Sequence, residues 1–229
     1  EGSWLILEDG RRVLDAIASW WCKSLGHRHP GVMEAIRRQT MRLDPVILAN
    51  VTHEGAVRLS ERLLSAANAN AGTPHFGKVL YASDGSTGVE IALKLALHAQ
   101  RHLGAPGRTR FAVLAGGYHG ETVGALSVSD LGLYADPYRA LLFEPVVIGD
   151  VPWRSGPDDP AWDDASAEWP AIERTLNAAD STLAAIVLEP VLQAAGGMRP
   201  ISPDLLRRLR AWSASSGVLL IHDEIATGF

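Results

Sequence analysis

The chain has 229 residues, of which 47% are hydrophobic and 21% are charged, and its formal net charge is −5. This length and composition are typical of a globular protein with one large domain, or with one domain and part of a second. The negative charge argues against binding to nucleic acid or to an anionic membrane. Cys22 is the only cysteine, which excludes an intramolecular disulfide and fits a reducing compartment. No apolar run is long enough to span a bilayer, so we expect a cytoplasmic protein that binds no membrane.

The first part of the chain predicts a hairpin followed by two helices. Residues 4–7 and 11–14 flank an Asp-Gly turn, which is typical of a β-hairpin. Pro30 suits the first turn of one helix, and Thr52 is expected to be the N-cap of the next. The chain begins with Glu1 rather than Met and runs straight into this hairpin. We therefore expect it to be a piece of a longer protein.

Beyond residue 77, apolar runs alternate with amphipathic segments. This alternation predicts βαβ units, and hence an α/β fold with a mostly parallel sheet and helices on both faces. The last helix has clear boundaries, with Ser202 as N-cap, Pro203 at its first position and Gly217 after its end. The predicted strands are residues 78–82, 110–115, 145–148, 183–188 and 217–222, and the predicted helices are residues 87–102, 167–178 and 203–216.

A turn of small residues, Ser83 to Gly88, joins a predicted strand to a predicted helix. Thr87 and Glu90 have the spacing of a capping box. Backbone N–H groups at such a helix start, with the hydroxyls of Ser86 and Thr87 nearby, can bind a phosphate group. The stretch matches neither GxGxxG nor the P-loop pattern, which argues against a nucleoside triphosphate. A helix that is capped and binds nothing is an equal alternative.

The next loop, Gly116 to Thr122, also follows a predicted strand. Two glycines before Tyr118 allow a tight turn that exposes the ring, which suits a planar ligand. His119 and Glu121 could be read as metal ligands together with other histidines, but two residues apart on a loop is a weak metal spacing. We expect no metal, and a structural His119 that is bonded to the backbone.

Two predicted strands end in acidic residues, Glu189 and Asp223. Parallel strands place their carboxyl ends at one edge of the sheet, where open α/β sheets bind ligands. A buried carboxylate at that edge needs a cationic or hydrogen-bonding partner, and a protonated ring nitrogen beside Asp223 would meet that need. For Glu189 or Glu224, a role as the cap of a following helix is equally open.

Trp20 and Trp21 are adjacent, so their side chains point in different directions in an extended segment. One ring is expected in the core and the other in the wall of a pocket or a subunit interface. Two core or interface rings are the alternative.

Together these stretches resemble the class III aminotransferases, which are fold-type I enzymes that use pyridoxal 5′-phosphate (PLP). The motifs occur in the family's order and cover nearly the whole chain. They are Ser19-Trp20-Trp21 with Gly26-His27-Arg28-His29-Pro30, then Ser83-Asp84-Gly85-Ser86, Gly117-Tyr118-His119-Gly120, Glu189-Pro190 through Gln193 to Met198, and Asp223 to Phe229.

The resemblance implies a role for several of these residues. Gly85 and Ser86 would bind the cofactor phosphate, Tyr118 would stack on the pyridine ring and contact the substrate, and Asp223 would pair with the ring nitrogen. Trp20 would line the substrate pocket. The family also implies a homodimer with active sites at the subunit interface.

Two motifs, Ser-Trp-Trp and Gly-Gly-Met-Arg, narrow the resemblance to one branch of the family. In that branch an amino group passes from S-adenosylmethionine through PLP to the ketone of 8-amino-7-oxononanoate, a step of biotin biosynthesis. Glu121 departs from the pattern, since this branch usually has Asp there and other members often have Arg. The resemblance further implies that residues 1–48 belong to the small domain and residues 49–229 to the first part of the large PLP-binding domain.

The catalytic lysine is the main departure. The family's Schiff-base lysine lies downstream of the motif at Asp223, so we expect it after Phe229 and assign no catalytic residue within this chain. The chain's own lysines, Lys23, Lys78 and Lys94, occupy other positions. Two alternatives stay open. One is another class III enzyme, an ω-amino acid aminotransferase that uses pyruvate or 2-oxoglutarate, and the other is a PLP-binding protein without turnover.

Overall fold

The computed structural model describes residues 2–69 and 75–228, so Phe229, the last residue of the motif that begins at Asp223, lies outside the described residues. The chain divides into two compact units, Glu1–Leu80 and Tyr81–Phe229. The division into domains at residue 48 stays a prediction. In the part of the chain that the structure describes, none of the helices combines the length and apolar character that crossing a bilayer requires.

The first unit contains the predicted hairpin and both predicted helices. The helix after residue 52 is capped by His53, whose Nδ1 accepts the N–H of Ala56 at 3.2 Å. The prediction that Thr52 is the cap was therefore wrong, because His53 is extended and its ring reaches the same orphan N–H group. The elements are β1 (Trp4–Ile6), β2 (Arg12–Leu14), the single turn α1 (Ala18–Trp21), α2 (Pro30–Thr40) and α3 (Glu54–Asn68).

The second unit contains a four-stranded parallel sheet, and its strands and helices match the predicted alternation. A short antiparallel pair of strands, Leu192–Gln193 and Arg199–Pro200, follows the strand Leu183–Leu188. The elements are α4 (Gly85–His102), β3 (Arg110–Leu114), α5 (Val123–Ser127), α6 (Gly132–Ala135), a 3₁₀ helix (Asp136–Leu141), β4 (Val146–Ile148), α7 (Trp169–Ala179), a 3₁₀ helix (Asp180–Thr182), β5 (Leu183–Leu188), β6 (Leu192–Gln193), β7 (Arg199–Pro200), α8 (Pro203–Ser216) and β8 (Leu219–His222).

The sheet has the order β4-β3-β5-β8, and its two faces carry separate cores. All six residues of β5 are buried, as expected for a parallel strand that is covered on both sides. Alternate residues of the central strands belong to different clusters: Ile186 packs with α7 and α8, whereas Val187 packs with α4 and α5. The predicted mostly parallel sheet with helices on both faces is confirmed.

The predicted strand at residues 78–82 is wrong. These residues form no strand, and Leu80 is 62% exposed. A strand needs a neighbouring strand to satisfy its backbone groups. Among the described strands, none pairs with this segment. The apolar run in its sequence nevertheless resembles that of a buried strand.

Local signals fixed the boundaries of α8. Ser202 Oγ accepts the N–H of Asp204, and Gly217 ends the helix with a φ of 77° in the left-handed region that favours glycine.

The buried side chain of Gln100 connects α4 to this end of the sheet. Its amide nitrogen donates to the carbonyl oxygens of Ala184 at 3.0 Å and Gly217 at 2.9 Å.

Candidate active site

The predicted site residues of the second unit lie around one edge of the sheet, at the carboxyl ends of three strands. Tyr118 and His119 follow β3, Glu189 follows β5, and Asp223 follows β8. The N–H of Asp223 donates to the carbonyl oxygen of Leu188 at 2.8 Å, so the pairing of β5 with β8 continues up to this edge. The prediction that the two acidic strand ends lie together is confirmed by this register.

A histidine and a carboxylate form the centre of this edge. His119 Nδ1 lies 2.9 Å from Asp223 Oδ2, and the two side chains are 0% and 9% exposed. The other oxygen, Asp223 Oδ1, accepts the N–H of Ile225 at 3.2 Å. We expected His119 to bond to the backbone, but its ring bonds to Asp223 instead. The main-chain N–H of His119 makes a separate hydrogen bond, to the hydroxyl oxygen of Ser129 at 2.8 Å.

The metal interpretation of His119 and Glu121 finds no support. Over residues 2–69 and 75–228, no group of three or more His, Cys, Asp or Glu side chains is arranged to hold a metal ion. The Asp223 carboxylate lies within hydrogen-bond distance of His119 Nδ1, so this ring nitrogen already has a partner.

Glu189 holds two loops together. Its Oε1 accepts the N–H of Tyr118 at 3.0 Å, and its Oε2 accepts the N–H of Ala194 at 2.9 Å. Burial raises the pKa of Glu189 above its ordinary value of 4.5, and the two N–H groups oppose this rise only in part. The role as a helix cap is wrong, because no helix of the structure begins at this position.

The start of α4 lies at the same edge, but its capping differs from the prediction. Asp84 is the N-cap, and its Oδ1 accepts the N–H of Thr87 at 2.8 Å. The Thr87 hydroxyl donates to the same carboxylate. Glu90 does not complete a capping box, because its Oε1 accepts the N–H of Gly124 at 2.7 Å at the start of α5.

Ser86 connects the start of α4 with the loop that carries Tyr118. Its Oγ accepts the N–H of Glu121 at 3.2 Å, which leaves the hydroxyl hydrogen to donate elsewhere. Gly120 has a φ of +120°, and a Cβ atom on it would overlap Ser86 Oγ. On the other side of the turn, a Cβ atom on Gly85 would be 3.3 Å from the side chain of Ile225, so this turn also adjoins the segment after Asp223.

Tyr118 is half-buried, and its hydroxyl donates to Glu121 Oε1 at 3.0 Å. Its ring centroid is 5.4 Å from that of Tyr134. Burial, together with the hydrogen bond to the Glu121 carboxylate, raises the pKa of Tyr118 to about 12. The phenol therefore stays neutral at physiological pH.

Trp20 lies in the first unit, on the turn α1. All four residues of this turn have positive φ angles, a conformation that costs about 1–2 kcal/mol for each non-glycine residue. Trp20 is 74% exposed and Trp21 is 53% exposed. Neither ring belongs to the core of the chain, so the expectation of one core ring is wrong.

Four of the contacts described above could not be predicted from the sequence. They are the pairing of His119 with Asp223, the two N–H contacts of Glu189 and the hydrogen bond from the N–H of Gly124 to Glu90. Gln193 belongs to the motif from Glu189 to Met198, and it is fully buried beside this edge, which its sequence motif did not indicate. The signal in the sequence that could have indicated a role for Gln193 is the presence of a polar residue within a glycine-rich loop.

Comparison with known proteins identifies relatives over the whole chain. The adenosylmethionine-8-amino-7-oxononanoate aminotransferase of Synechococcus elongatus is 39% identical over 229 residues, which are 100% of this chain and 52% of the relative. The enzyme of the same name from Saccharomyces cerevisiae is 34% identical, over 95% of this chain and 46% of the relative. The chain thus spans about half the length of the curated relatives it matches.

Solved structures confirm the fold. An amine transaminase from an uncultivated Pseudomonas species, solved in its PLP-bound form, superposes with a TM-score of 0.86 at 34% identity and covers 100% of this chain and 51% of its own. The adenosylmethionine-8-amino-7-oxononanoate aminotransferase of Methanocaldococcus jannaschii gives a TM-score of 0.85 at 29% identity, over 100% of this chain and 48% of its own. The predicted fold-type I architecture is therefore confirmed. The model of the family "Aminotransferase class-III" matches residues 1–229, and the chain belongs to that family.

Proposed function

We propose that the protein containing this chain is a PLP-dependent aminotransferase that converts 8-amino-7-oxononanoate to 7,8-diaminononanoate in biotin biosynthesis, with S-adenosylmethionine as amino donor. The observation that carries the proposal is the Asp223 carboxylate, whose side chain is only 9% exposed and is oriented by His119 at the carboxyl edge of a parallel sheet. The names of the relatives from Synechococcus elongatus and Saccharomyces cerevisiae support this substrate pair.

The residues at this edge fit the phosphate of the proposed cofactor. The first N–H groups of α4 have no acceptor within the helix, and the positive end of the helix dipole favours an anion there. Ser86 Oγ accepts the N–H of Glu121, and since this contact does not use the hydroxyl hydrogen, that hydrogen can donate to a phosphate oxygen. We therefore assign Gly85 and Ser86 to the phosphate.

The same edge fits the cofactor ring. Tyr118 offers an aromatic face and stays neutral, and its main-chain N–H is fixed by Glu189. Asp223 offers a carboxylate that can accept a hydrogen bond from a protonated ring nitrogen. When bound, PLP supplies the electron sink of transamination, and Asp223 keeps its ring nitrogen protonated. Tyr118 and Trp20 are assigned to substrate binding.

No catalytic base is assigned to this chain. Lys94 lies nine residues into α4 from Gly85, which is about 13 Å along the helix axis. The expectation that the catalytic lysine follows Phe229 stays a prediction. We also propose a cytoplasmic homodimer, with residues 1–48 in the small domain and residues 49–229 in the large one.

The competing proposal is an ω-amino acid or amine transaminase. The likeness to the Pseudomonas amine transaminase favours it, since that protein is 34% identical over the whole chain. Glu121 also favours it, because its side chain is one methylene longer than the Asp expected there and reaches the Tyr118 hydroxyl.

Amino-donor specificity separates the two proposals. Full-length protein with PLP should form 7,8-diaminononanoate from S-adenosylmethionine and 8-amino-7-oxononanoate, as detected by mass spectrometry. The matched assay supplies an ω-amino acid and pyruvate. Turnover in the second assay alone would replace the first proposal by the second, and PLP binding without turnover in either assay would contradict both.

A further inference from the structure

The edge of the sheet contains a small buried polar cluster that the proposed function does not use. Three buried side-chain atoms, His119 Nε2, Gln193 Nε2 and Gln193 Oε1, have no hydrogen-bond partner among the described residues. The side chains of His119 and Gln193 are both 0% exposed. Buried polar groups in native proteins are almost always hydrogen-bonded, either to protein or to an internal water molecule.

These atoms surround the backbone of two glycines. A Cβ atom on Gly117 would be 3.4 Å from His119 Nε2 and 3.6 Å from Gln193 Nε2. A Cβ atom on Gly116 would be 3.5 Å from Gln193 Oε1. The Gln193 side chain therefore lies along the Gly116-Gly117 backbone, and its amide nitrogen is on the side of the His119 ring.

The chemistry of the two side chains is complementary. The Asp223 carboxylate at 2.9 Å favours a proton on His119 Nδ1. In the neutral ring, Nε2 is then an acceptor, whereas the Gln193 amide nitrogen is a donor. A water molecule between them can accept from the amide and donate to the ring. The charged groups beside the cluster are Asp223 and Glu189, and both are acceptors when ionised.

We propose that His119 Nε2 and the Gln193 side chain bind one buried water molecule, and that Gln193 is thereby a positioning residue for the pair of His119 and Asp223. The water and the amide hold the His119 ring in the tautomer with its proton on Nδ1. That proton fixes the Asp223 carboxylate that, in the proposed function, faces the cofactor ring.

The tautomer can be measured without the cofactor. Full-length protein labelled with ¹⁵N-histidine and freed of PLP is compared with Gln193→Met, which keeps a similar volume but removes both polar atoms. The signals of His119 are assigned by their loss in His119→Gln. The control is Gln100→Met, because Gln100 is an equally buried glutamine that bonds to Ala184 and Gly217 instead.

In the wild type we expect Nε2 to be unprotonated and hydrogen-bonded. In Gln193→Met its resonance should shift downfield, toward a ring nitrogen without a hydrogen bond, while Gln100→Met leaves it unchanged. A protonated Nε2 in the wild type, or the same Nε2 resonance in Gln193→Met, would overturn the proposal. Should Gln193→Met not fold, a high-resolution crystal structure of the wild-type holoenzyme decides. It should contain an ordered water within hydrogen-bond distance of both nitrogens, and any other arrangement overturns the inference.

The effect on catalysis rests on the proposed function and is a separate readout. Gln193→Met should lower kcat about tenfold, equivalent to one lost hydrogen bond, with KM nearly unchanged. If the ¹⁵N result holds but the wild-type protein does not transaminate, the proposed function fails and the water site stands. If the wild type transaminates and the Nε2 resonance does not respond, only the water site fails.

Discussion

His119 and Asp223 are 104 positions apart in the sequence, yet their side chains, which are 0% and 9% exposed, meet at 2.9 Å. A second donor, the N–H of Ile225, holds the other oxygen of the carboxylate at 3.2 Å. The orientation of Asp223 is therefore set by protein groups before a ligand binds. Such preorganisation is what a group that stabilises a charged cofactor ring requires.

Replacement of Asp223 by Asn should abolish transamination by the full-length protein, with a loss of at least about 100-fold in kcat, because an amide cannot balance a protonated ring nitrogen. The phosphate contacts stay, so PLP should still bind. Steady-state kinetics and PLP titration measure both quantities. Asp180→Asn is the control, since Asp180 precedes β5 at the opposite edge of the sheet. Turnover close to that of the wild type would refute the role of Asp223.

Removal of the Ser86 hydroxyl should weaken PLP binding by about tenfold or more, the expected effect of losing one hydrogen bond to a charged group. Equilibrium titration of Ser86→Ala with PLP measures the change. Ser181→Ala is a control because Ser181 is exposed in the 3₁₀ helix before β5. Equal PLP affinity in wild type and Ser86→Ala would show that the phosphate assignment is wrong.

Gly120→Ala should destabilise the fold by more than about 1 kcal/mol, because its φ of +120° is strained for alanine and the new methyl group would overlap Ser86 Oγ. PLP affinity should fall as well, since the Ser86 side chain must move. Gly88→Ala is the matched control, because nothing lies within 4 Å of its added Cβ atom. Gly88 lies in the first turn of α4, where alanine, the better helix former, should stabilise by up to about 1 kcal/mol. Chemical denaturation compares the two, and equal stabilities would contradict the geometry around Gly120.

Tyr118 should ionise near pH 12, as measured by ultraviolet absorbance of tyrosinate in the protein without PLP and assigned with Tyr118→Phe. Glu121→Gln should lower the pKa only partly toward 10.0, because burial is the larger cause of the shift. Since the folded-state pKa is raised, the stability that this group contributes is present below pH 10.0 and is lost as the pH rises through about 12. An unchanged pKa in Glu121→Gln would show that the Glu121 carboxylate does not raise the pKa of Tyr118.

Glu189→Gln should have a stability deficit that shrinks as the pH rises. The pKa of Glu189 is raised above 4.5, so its stability contribution is present below pH 4.5 and is lost as the pH rises through the folded-state pKa. Glutamine does not titrate, but it loses one of the two acceptor contacts. Urea unfolding of both proteins between acidic and neutral pH measures the difference. Glu61→Gln, at an exposed position of α3, is the control. A deficit that grows with pH would contradict the raised pKa.

Elements with local signals could be predicted from the sequence. The bounds of α8 matched because Ser202, Pro203 and Gly217 specify its ends within a few residues. The strand at residues 78–82 could not be judged in the same way, since an apolar run becomes a strand only beside a partner. The prediction of Thr52 as the N-cap of α3 was wrong because its neighbour His53 makes the capping hydrogen bond instead.

The candidate site, like the fold, could be predicted only in part from the sequence. The meeting of Glu189 and Asp223 at one edge followed from the parallel sheet, because strand direction alone determines it. Their partners did not follow. Glu189 bonds to the N–H of Tyr118, 71 positions away, and Glu90 bonds to the N–H of Gly124, 34 positions away. Such contacts depend on how loops from distant strands pack, and one sequence without its relatives carries no signal for them.

The pairing of β5 with β8 makes the site sensitive to strand register. Leu188 pairs with His222, and Asp223 follows in the next position. A slip by one residue would turn Asp223 to the opposite face of the sheet and separate it from His119. The site therefore forms only when this long-range register is correct, and a ligand that needs Asp223 must select correctly registered molecules. Ligand binding would then increase the population of correctly folded molecules, because it stabilises only the correct register.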